Sequence, residues 1–306
     1  MNKFRVYGSV ILAMIFWSFS FIWFKMANEF YKPITIVFFR LVIAIIILTV
    51  YLRVTRKFMK IKKEDWKLFI LLAFFEPFLY FIGESHGLTY VSPTTCSVII
   101  STIPVVAAIG AWILFREKLR IMNYLGIILS FIGILIFVVK PDGSLSFNMK
   151  GLLLLALAVV SAVGYNLTLS KLVESYSPVY IVNVQNVIGG ILFLPVFLVF
   201  DLRDFAGATH SFGSIWPVVA LSVFASCGAF IFFAFSVRYI GITRANVFTN
   251  CIPIFTAFFS FLLLHEKLTI QSLAGMAIVV IGLFLSQADG RKKELEDALA
   301  LTGKTA

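Results

Sequence analysis

The chain has 306 residues, 60% of them hydrophobic, with 34 Phe, 13% charged and a mean hydropathy of +0.99. Soluble domains are about half apolar and about a quarter charged, so this composition excludes an ordinary water-soluble protein. A net charge of +11 would suit nucleic acid only on a polar fold with one basic face, whereas these basic residues flank apolar runs and act as orientation signals.

A helix crossing the hydrocarbon layer needs roughly 20 apolar residues. Ten low-charge segments are predicted as such helices: 6 to 24, 34 to 53, 67 to 86, 93 to 115, 120 to 139, 151 to 171, 178 to 200, 214 to 236, 243 to 264 and 269 to 287. The first follows Lys3 and Arg5 as in a signal peptide, but it lacks a small-x-small cleavage site and is expected to stay as an uncleaved helix. Only Arg53 to Lys67, Lys140 to Lys150 and Asp201 to Gly213 form longer links, and the polar tail 289–306 amounts at most to a surface helix. With the N-terminus inside, the inner loops hold nineteen Lys and Arg and the outer loops six, with Arg40 inside a span. That bias predicts both termini in the cytoplasm; the bacterial inner membrane is the expected location.

Several chemistries are not expected. Cys96, Cys227 and Cys251 fall inside apolar segments without CxxC spacing and read as small core residues. His265-Glu266 begins an HExxH motif, but Thr269 stands where the second His is required. Without a P-loop, ATP-driven work is not expected either. No cofactor, metal or nucleic-acid partner follows from the sequence.

The chain repeats itself. A shift of 149 residues aligns 89–137 with 238–286 without a gap, and 14 of 49 positions are identical. Among them are Pro104 with Pro253, Glu117-Lys118-Leu119 with Glu266-Lys267-Leu268, Gly126 with Gly275 and Gly133 with Gly282. Five spans separate the copies, an odd number, so the two halves must cross in opposite orientations, as in inverted-repeat transporters.

Further along the chain, Trp17-Ser18 and Lys25 in the first span, Pro33 and Arg40 in the second, and Pro104 with Phe115-Arg116-Glu117-Lys118-Leu119 in the fourth form an ordered set. Pro253 with His265-Glu266-Lys267-Leu268 repeats part of it. In this order and duplication the chain resembles the EamA-type permeases of the drug/metabolite transporter superfamily, from about Val6 to Ser286. The resemblance implies ten helices, a central cavity between two five-helix halves, and export or exchange of amino acids or other small metabolites. The second half departs from the pattern, with Val163 at the Trp17 position and Gln185 at the Arg40 position.

Ionisable groups at membrane depth cost roughly 2.5 to 3.5 kcal/mol on insertion scales, so each needs a reason. Glu76 lies nine residues into the third span, about 14 Å deep in a core about 30 Å thick. Pro77 follows it and invites a kink. A carboxyl there either carries a proton or faces a cation, which suits a carrier group or a counter-charge for a substrate amine; a permanent bridge between helices is the alternative. Glu84 lies about 12 Å nearer the outside, with Arg40 between the two in depth. Arg40 is expected as an ion-pair partner, Lys25 as a snorkelling residue, and His86 as either a pH-sensitive group or a rim histidine bonded to a loop. Trp17 and Tyr165 are candidate aromatic walls, and Tyr80, Asn166 and Asn250 candidate polar contacts. Four residues separate Glu76 from Tyr80 and Asn246 from Asn250, which places each pair on one helix face. Pro104 and Pro253 would kink matching helices.

The sequence thus predicts an all-α integral membrane fold of ten transmembrane helices in two five-helix inverted repeats, residues 1–140 and 150–288. The expected function is secondary transport by alternating access in a monomer or weak homodimer among membrane lipids, with proton coupling through Glu76 and export of a small-molecule substrate. The alternatives are a nucleotide-sugar or phosphorylated-metabolite exchanger, which needs two or more basic residues facing the cavity, and an intramembrane lipid-modifying enzyme, which needs paired carboxylates or clustered histidines. An enzyme is not expected.

Overall fold

The computed structural model describes residues 3–107, 109, 121–138 and 148–302, and the side chains of 4–107, 109, 121–136 and 148–286. The described residues are mostly helical, without strands. In hydrocarbon every backbone donor and acceptor must be satisfied within the chain, and a helix does this within one segment. Helices α1 (Lys3–Asn28) and α2 (Pro33–Val54) form the first pair. Next come α3 (Trp66–Ala73), α4 (Tyr80–Tyr90), α5 (Pro93–Ile100) and α6 (Ile121–Val138). The second half holds α7 (Met149–Ser175), α8 (Pro178–Phe200), the short α9 (Leu202–Gly207), α10 (Phe212–Ala220), α11 (Phe230–Val247), α12 (Ile252–Leu264) and α13 (Ile270–Thr302). Pro33, Pro93 and Pro178 open their helices in the first turn, where a missing N–H costs nothing.

Among the described residues, six stretches are long and apolar enough to cross a membrane: Phe4–Asn28, Pro33–Val54, Lys63–Tyr90, Met149–Ser175, Pro178–Phe200 and Phe212–Leu264. Pro93–Ala107, Ile121–Ile136 and Ile270–Ser286 are shorter apolar helices. Phe212–Leu264, 53 residues long, breaks at Gly241, where φ is +78° and ψ 160°, a conformation that only glycine adopts at little cost. The Glu117-Lys118-Leu119 motif, Phe115-Arg116 and most of the link to Lys150 lie outside the described residues. The tail does not begin as a separate element, because the backbone of α13 continues helical to Thr302.

Irregular turns recur at the repeat spacing. A wide π-helical segment, Phe74–Leu79, joins α3 to α4, and another, Leu221–Ala229, joins α10 to α11. A shift of 149 residues carries 74–79 onto 223–228. Ser101 and Thr102 interrupt the helix before Pro104, and a 3-10 turn, Phe248–Cys251, stands before Pro253. The same shift carries 101–102 onto 250–251. Packing follows the same rule. Helix α4 lies on α7 as α11 lies on α1; α2 meets the Leu221–Ala229 turn as α8 meets Phe74–Leu79; and α2 with α8 and α6 with α13 are their own counterparts.

The α6–α13 contact shows why small residues sit where they do. A methyl group on Gly126 would lie 2.2 Å from the Ser286 amide nitrogen and 2.6 Å from the Gly282 carbonyl oxygen. On Gly133 it would lie 2.6 Å from the Val279 amide nitrogen and 2.9 Å from the Gly275 carbonyl oxygen. Repeat-related glycines therefore face one another crosswise, Gly126 with Gly282 and Gly133 with Gly275, in an antiparallel pair. Lipid offers no hydrophobic drive for helices to associate, so close backbone approach supplies the attraction through dispersion. Gly83 and Gly87 likewise bring α4 onto Leu154, Leu155 and Ala158 of α7, which makes their GxxxG spacing an internal packing device.

Candidate functional site

A cavity of about 60 Å³ lies where the two halves meet. It is lined from α1 by Trp17, Ser20 and Phe21, from α2 by Arg40, and from the third stretch by Glu76, Tyr80, Phe81 and Glu84. The second half contributes Ala162, Tyr165, Asn166, Phe230, Phe233, Asn246, Thr249 and Ile252, and Ile100 and Ile103 close the ring. Such a volume holds a few water molecules and is smaller than the usual small-molecule pocket.

The wide turn delivers Glu76 to this space. Its φ of −148° and ψ of 116° take the residue out of the helix, and Pro77 after it has no N–H to donate. Pro77 seats against α8 at Gly189, where a Cβ would come 2.2 Å from the proline Cγ. Four residues later Tyr80 donates its hydroxyl to Glu84 Oε1 at 3.1 Å. Arg40 is 3% exposed; its Nε donates to Ser226 Oγ at 2.8 Å, and its guanidinium lies 4.2 Å from the Phe81 ring centroid. The ion pair expected for Arg40 is not a contact pair. Among the described residues the ion pair within 4.0 Å is Lys32–Asp204, exposed at the rim. The guanidinium instead faces Glu76 and Glu84 across the cavity, because its Nε is held by Ser226 and its plane by Phe81. Two carboxyl groups and one guanidinium, all buried, thus meet in a space walled by aromatics. Trp17 stacks edge-on against Phe230 at 5.3 Å and packs on Phe233 at 5.1 Å, and Tyr165 meets Phe230 edge-on at 6.0 Å.

Trp17, Arg40, Glu76, Tyr80, Glu84, Tyr165 and Asn166, all read from the sequence, therefore line one cavity. Asn250 and His86 do not. Asn246 and Asn250 were expected on one face, but the chain passes from α-helix into the tighter 3-10 turn Phe248–Cys251 between them, which turns Asn250 further round than the about 40° that four residues of continuous α-helix would give. Asn246 faces the cavity, with Asn166 Nδ2 at 3.5 Å from its Oδ1. Asn250 is fully buried elsewhere, with both amide atoms unpartnered. His86 Nδ1 lies 3.0 Å from the Ile82 carbonyl oxygen, within its own helix and not on a loop. Lys25 reaches the Leu88 carbonyl at 3.3 Å. Sequence reasoning missed Phe81, Phe230 and Phe233, since nothing in composition separates a cavity-facing Phe from the rest of the 34. It also missed Ser226, the partner of Arg40.

Around the site, hydrogen bonds tie helix ends together. Thr94 donates to Glu266 Oε2 at 2.8 Å, so the start of α5 meets the end of α12. At the next rim, Asp201 accepts from the amide and the hydroxyl of Thr35, at 2.9 and 3.0 Å. On the opposite side Tyr176 donates to Asp65 at 2.7 Å and accepts from the Lys62 amide at 3.0 Å. Burial, and then the Asp65 carboxylate, hold the Tyr176 hydroxyl above the ordinary tyrosine value. The hydrogen bond to Asp204 raises Lys32. No group of three or more His, Cys, Asp or Glu among the described residues is placed to hold a metal ion.

Comparison with known proteins agrees with this architecture. The model of the EamA-like transporter family matches twice, over residues 5–139 and 149–287. An uncharacterized transporter of Archaeoglobus fulgidus is 27% identical over 274 residues, covering 90% of this chain and 95% of its own length. The uncharacterized transporters YcxC and YoaV of Bacillus subtilis are 26% and 21% identical, each over 92% of this chain and over 94% and 96% of their own lengths. One crystal structure of a protein superposes with a TM-score of 0.70 at 13% identity, over 96% of this chain and all of the other, and shows the shared fold.

Proposed function

For a chain that belongs to the EamA-like transporter family, we propose secondary transport of amino acids or other small amine-bearing metabolites by alternating access around the cavity of Glu76, Glu84 and Arg40. The observation that carries this reading is the cavity itself, since buried carboxyls and a guanidinium converge there without a contact ion pair and leave hydrogen-bonding capacity for a polar ligand. Trp17, Tyr165 and the neighbouring phenylalanines supply the apolar walls, and Tyr80 and Asn166 the directional contacts. Glu76, beside the helix break, is the group that trades a proton or an ammonium.

The rest of the assignment goes with it: ten crossings in two inverted halves, residues 1–140 and 150–288, with both termini in the bacterial cytoplasm and substrate exported by a monomer or weak homodimer. Support comes from the two matches of the family model and from irregular turns that recur 149 residues apart. An exchanger of phosphorylated metabolites is disfavoured, because Arg40 is the single Lys or Arg among the described lining residues. Membership is of a family of transporters, and an intramembrane enzyme has no feature here to support it. A melting-shift screen of the purified protein against small metabolites names the ligand class, and proteoliposome transport of the hit then tests Glu76→Gln. Transport with unchanged pH dependence in that variant would remove Glu76 from the coupling step. A panel in which only phosphorylated compounds shift the melt would overturn the amine reading.

A further inference from the structure

Behind the cavity wall, α8 carries polar side chains whose hydrogen-bonding capacity is unfilled. Gln185 is 0% exposed, and neither its Oε1 nor its Nε2 has a partner. The Nδ2 of Asn186 and the hydroxyl of Tyr165, both on residues 2% exposed, are also unpartnered. Tyr165 joins this cluster to the cavity. Its ring lines the space, while its hydroxyl neighbours Gln185 without closing a hydrogen bond of good geometry and lies near enough to Glu76 to sense its charge. Gln185 and Gly189 are four apart on one face of α8, and Gly189 is the seat of Pro77. The open amide therefore sits one turn from the break at Glu76.

The repeat explains why the amide is open. Pro33 aligns with Pro178, and Arg40 with Gln185. Arg40 finds Ser226 in the wide turn of the second half. A shift of 149 residues places Pro77 at the Ser226 position in the first half, and proline has no polar side-chain atom to offer. Gln185 thus lacks the partner that its counterpart has. Buried polar atoms in this condition are satisfied by ordered water, each such molecule making about three hydrogen bonds. A polar trail also leads away from the cluster: Asn183 shares a face with Asn186 and accepts from Thr49 at 3.0 Å, nearer the start of α8.

We propose that Gln185, Asn186 and Tyr165 form a buried hydration site against the Glu76–Pro77 turn, and that its water exchanges the proton of Glu76. The titratable and charged groups that face Glu76 are Glu84, Arg40, Tyr80 and Tyr165, and α8 adds no charge. On the α8 side no charged side chain is available to the carboxyl. Four open polar atoms match about one or two waters. The relay rests on the reading of Glu76 as a proton-exchanging group, whereas the hydration site does not.

X-ray radiolytic footprinting of the full chain in lipid nanodiscs tests the site without a substrate, because radicals formed from bound water modify the side chains beside it. Tyr165 is expected to be modified despite its burial, while the equally buried Phe69 and Phe193 are not. Gln185→Leu should lower the Tyr165 modification at least fivefold, and Gln185→Met serves if that variant does not fold. An unmodified Tyr165 in the wild type, or equal modification in the variant, overturns the site. The relay is read by the pH profile of carbodiimide modification at Glu76, since the reagent takes protonated carboxyls. Gln185→Leu should displace that profile by about one pH unit, and Gln185→Asn, which keeps both amide functions, should restore it. An undisplaced profile overturns the relay. If Tyr165 modification depends on Gln185 while Glu76→Gln leaves transport and its pH dependence intact, the coupling reading and the relay fall together and the hydration site stands.

Discussion

Replacing Gly126 by alanine puts a methyl group where α13 already passes. The added carbon would lie 2.2 Å from the Ser286 nitrogen, 2.6 Å from the Gly282 oxygen and 2.7 Å from the Ser286 Cα, whereas ordinary contact begins near 3.4 Å. All three are backbone atoms, so no rotamer change relieves them. The helices must part by about 1 Å, and dispersion falls steeply over such a gap. Overpacking of this kind costs about 1–3 kcal/mol, against which alanine regains up to about 1 kcal/mol of helix propensity. A net loss of about 1–2 kcal/mol is expected, read as a lower melting midpoint in detergent. Gly133→Ala occupies the crosswise position and should behave similarly. Gly8→Ala is the control, since nothing lies within 4 Å of its added carbon, and it should be neutral or stabilising. If Gly126→Ala melts no lower than Gly8→Ala, backbone contact is not what holds α6 to α13.

Three further outcomes follow from single hydrogen bonds. Ser226→Ala removes the acceptor of Arg40 Nε; a bond to a buried charge contributes about 1.5–3 kcal/mol, and the loss should appear in the melting midpoint and be recovered by Ser226→Thr. Thr94→Val separates α5 from Glu266 at a partly exposed junction, so about 1 kcal/mol is expected, with Thr94→Ser restoring it. Tyr176→Phe loses the bonds to Asp65 and to the Lys62 amide, about 1 kcal/mol near neutral pH. The folded hydroxyl titrates above the ordinary 10.0, so its contribution is present below that pH and is lost as pH rises through the higher folded value. Melting measured from pH 8 to 11 should show that alkaline loss in the wild type and not in Tyr176→Phe.

Much of the candidate site was legible because ionisable and amide groups are costly in hydrocarbon and stand out singly against an apolar background. Glu76, Glu84 and Arg40 were visible for that reason, and all three line the cavity. The phenylalanine walls were not, because an apolar side chain is equally at home facing lipid, core or cavity. Asn250 was misplaced because one 3-10 turn before Pro253 changes the angular spacing of four residues, and spacing alone does not announce such a turn. The partner of Arg40 was hidden for a related reason. Ser226 is 186 positions away, and serine is common inside membrane helices as a neutral filler.

Composition, the positions of Lys and Arg, and the 149-residue repeat determined the membrane class, the all-helical character and the pairing of equivalent positions. Those properties depend on local transfer energies and on counting, which a linear chain displays. Rotation of each helix about its axis, and hence which face meets the cavity, was decided only in the folded molecule. Helix rotation is set by close contacts such as Gly126 with Gly282 and Pro77 with Gly189, made between residues far apart in sequence whose small size gives no sign of the partner. The same is true of charge. The sequence shows that Arg40 lies between Glu76 and Glu84 in depth, but tertiary packing on Ser226 and Phe81 turns the guanidinium into a wall of the cavity and keeps it out of a contact ion pair.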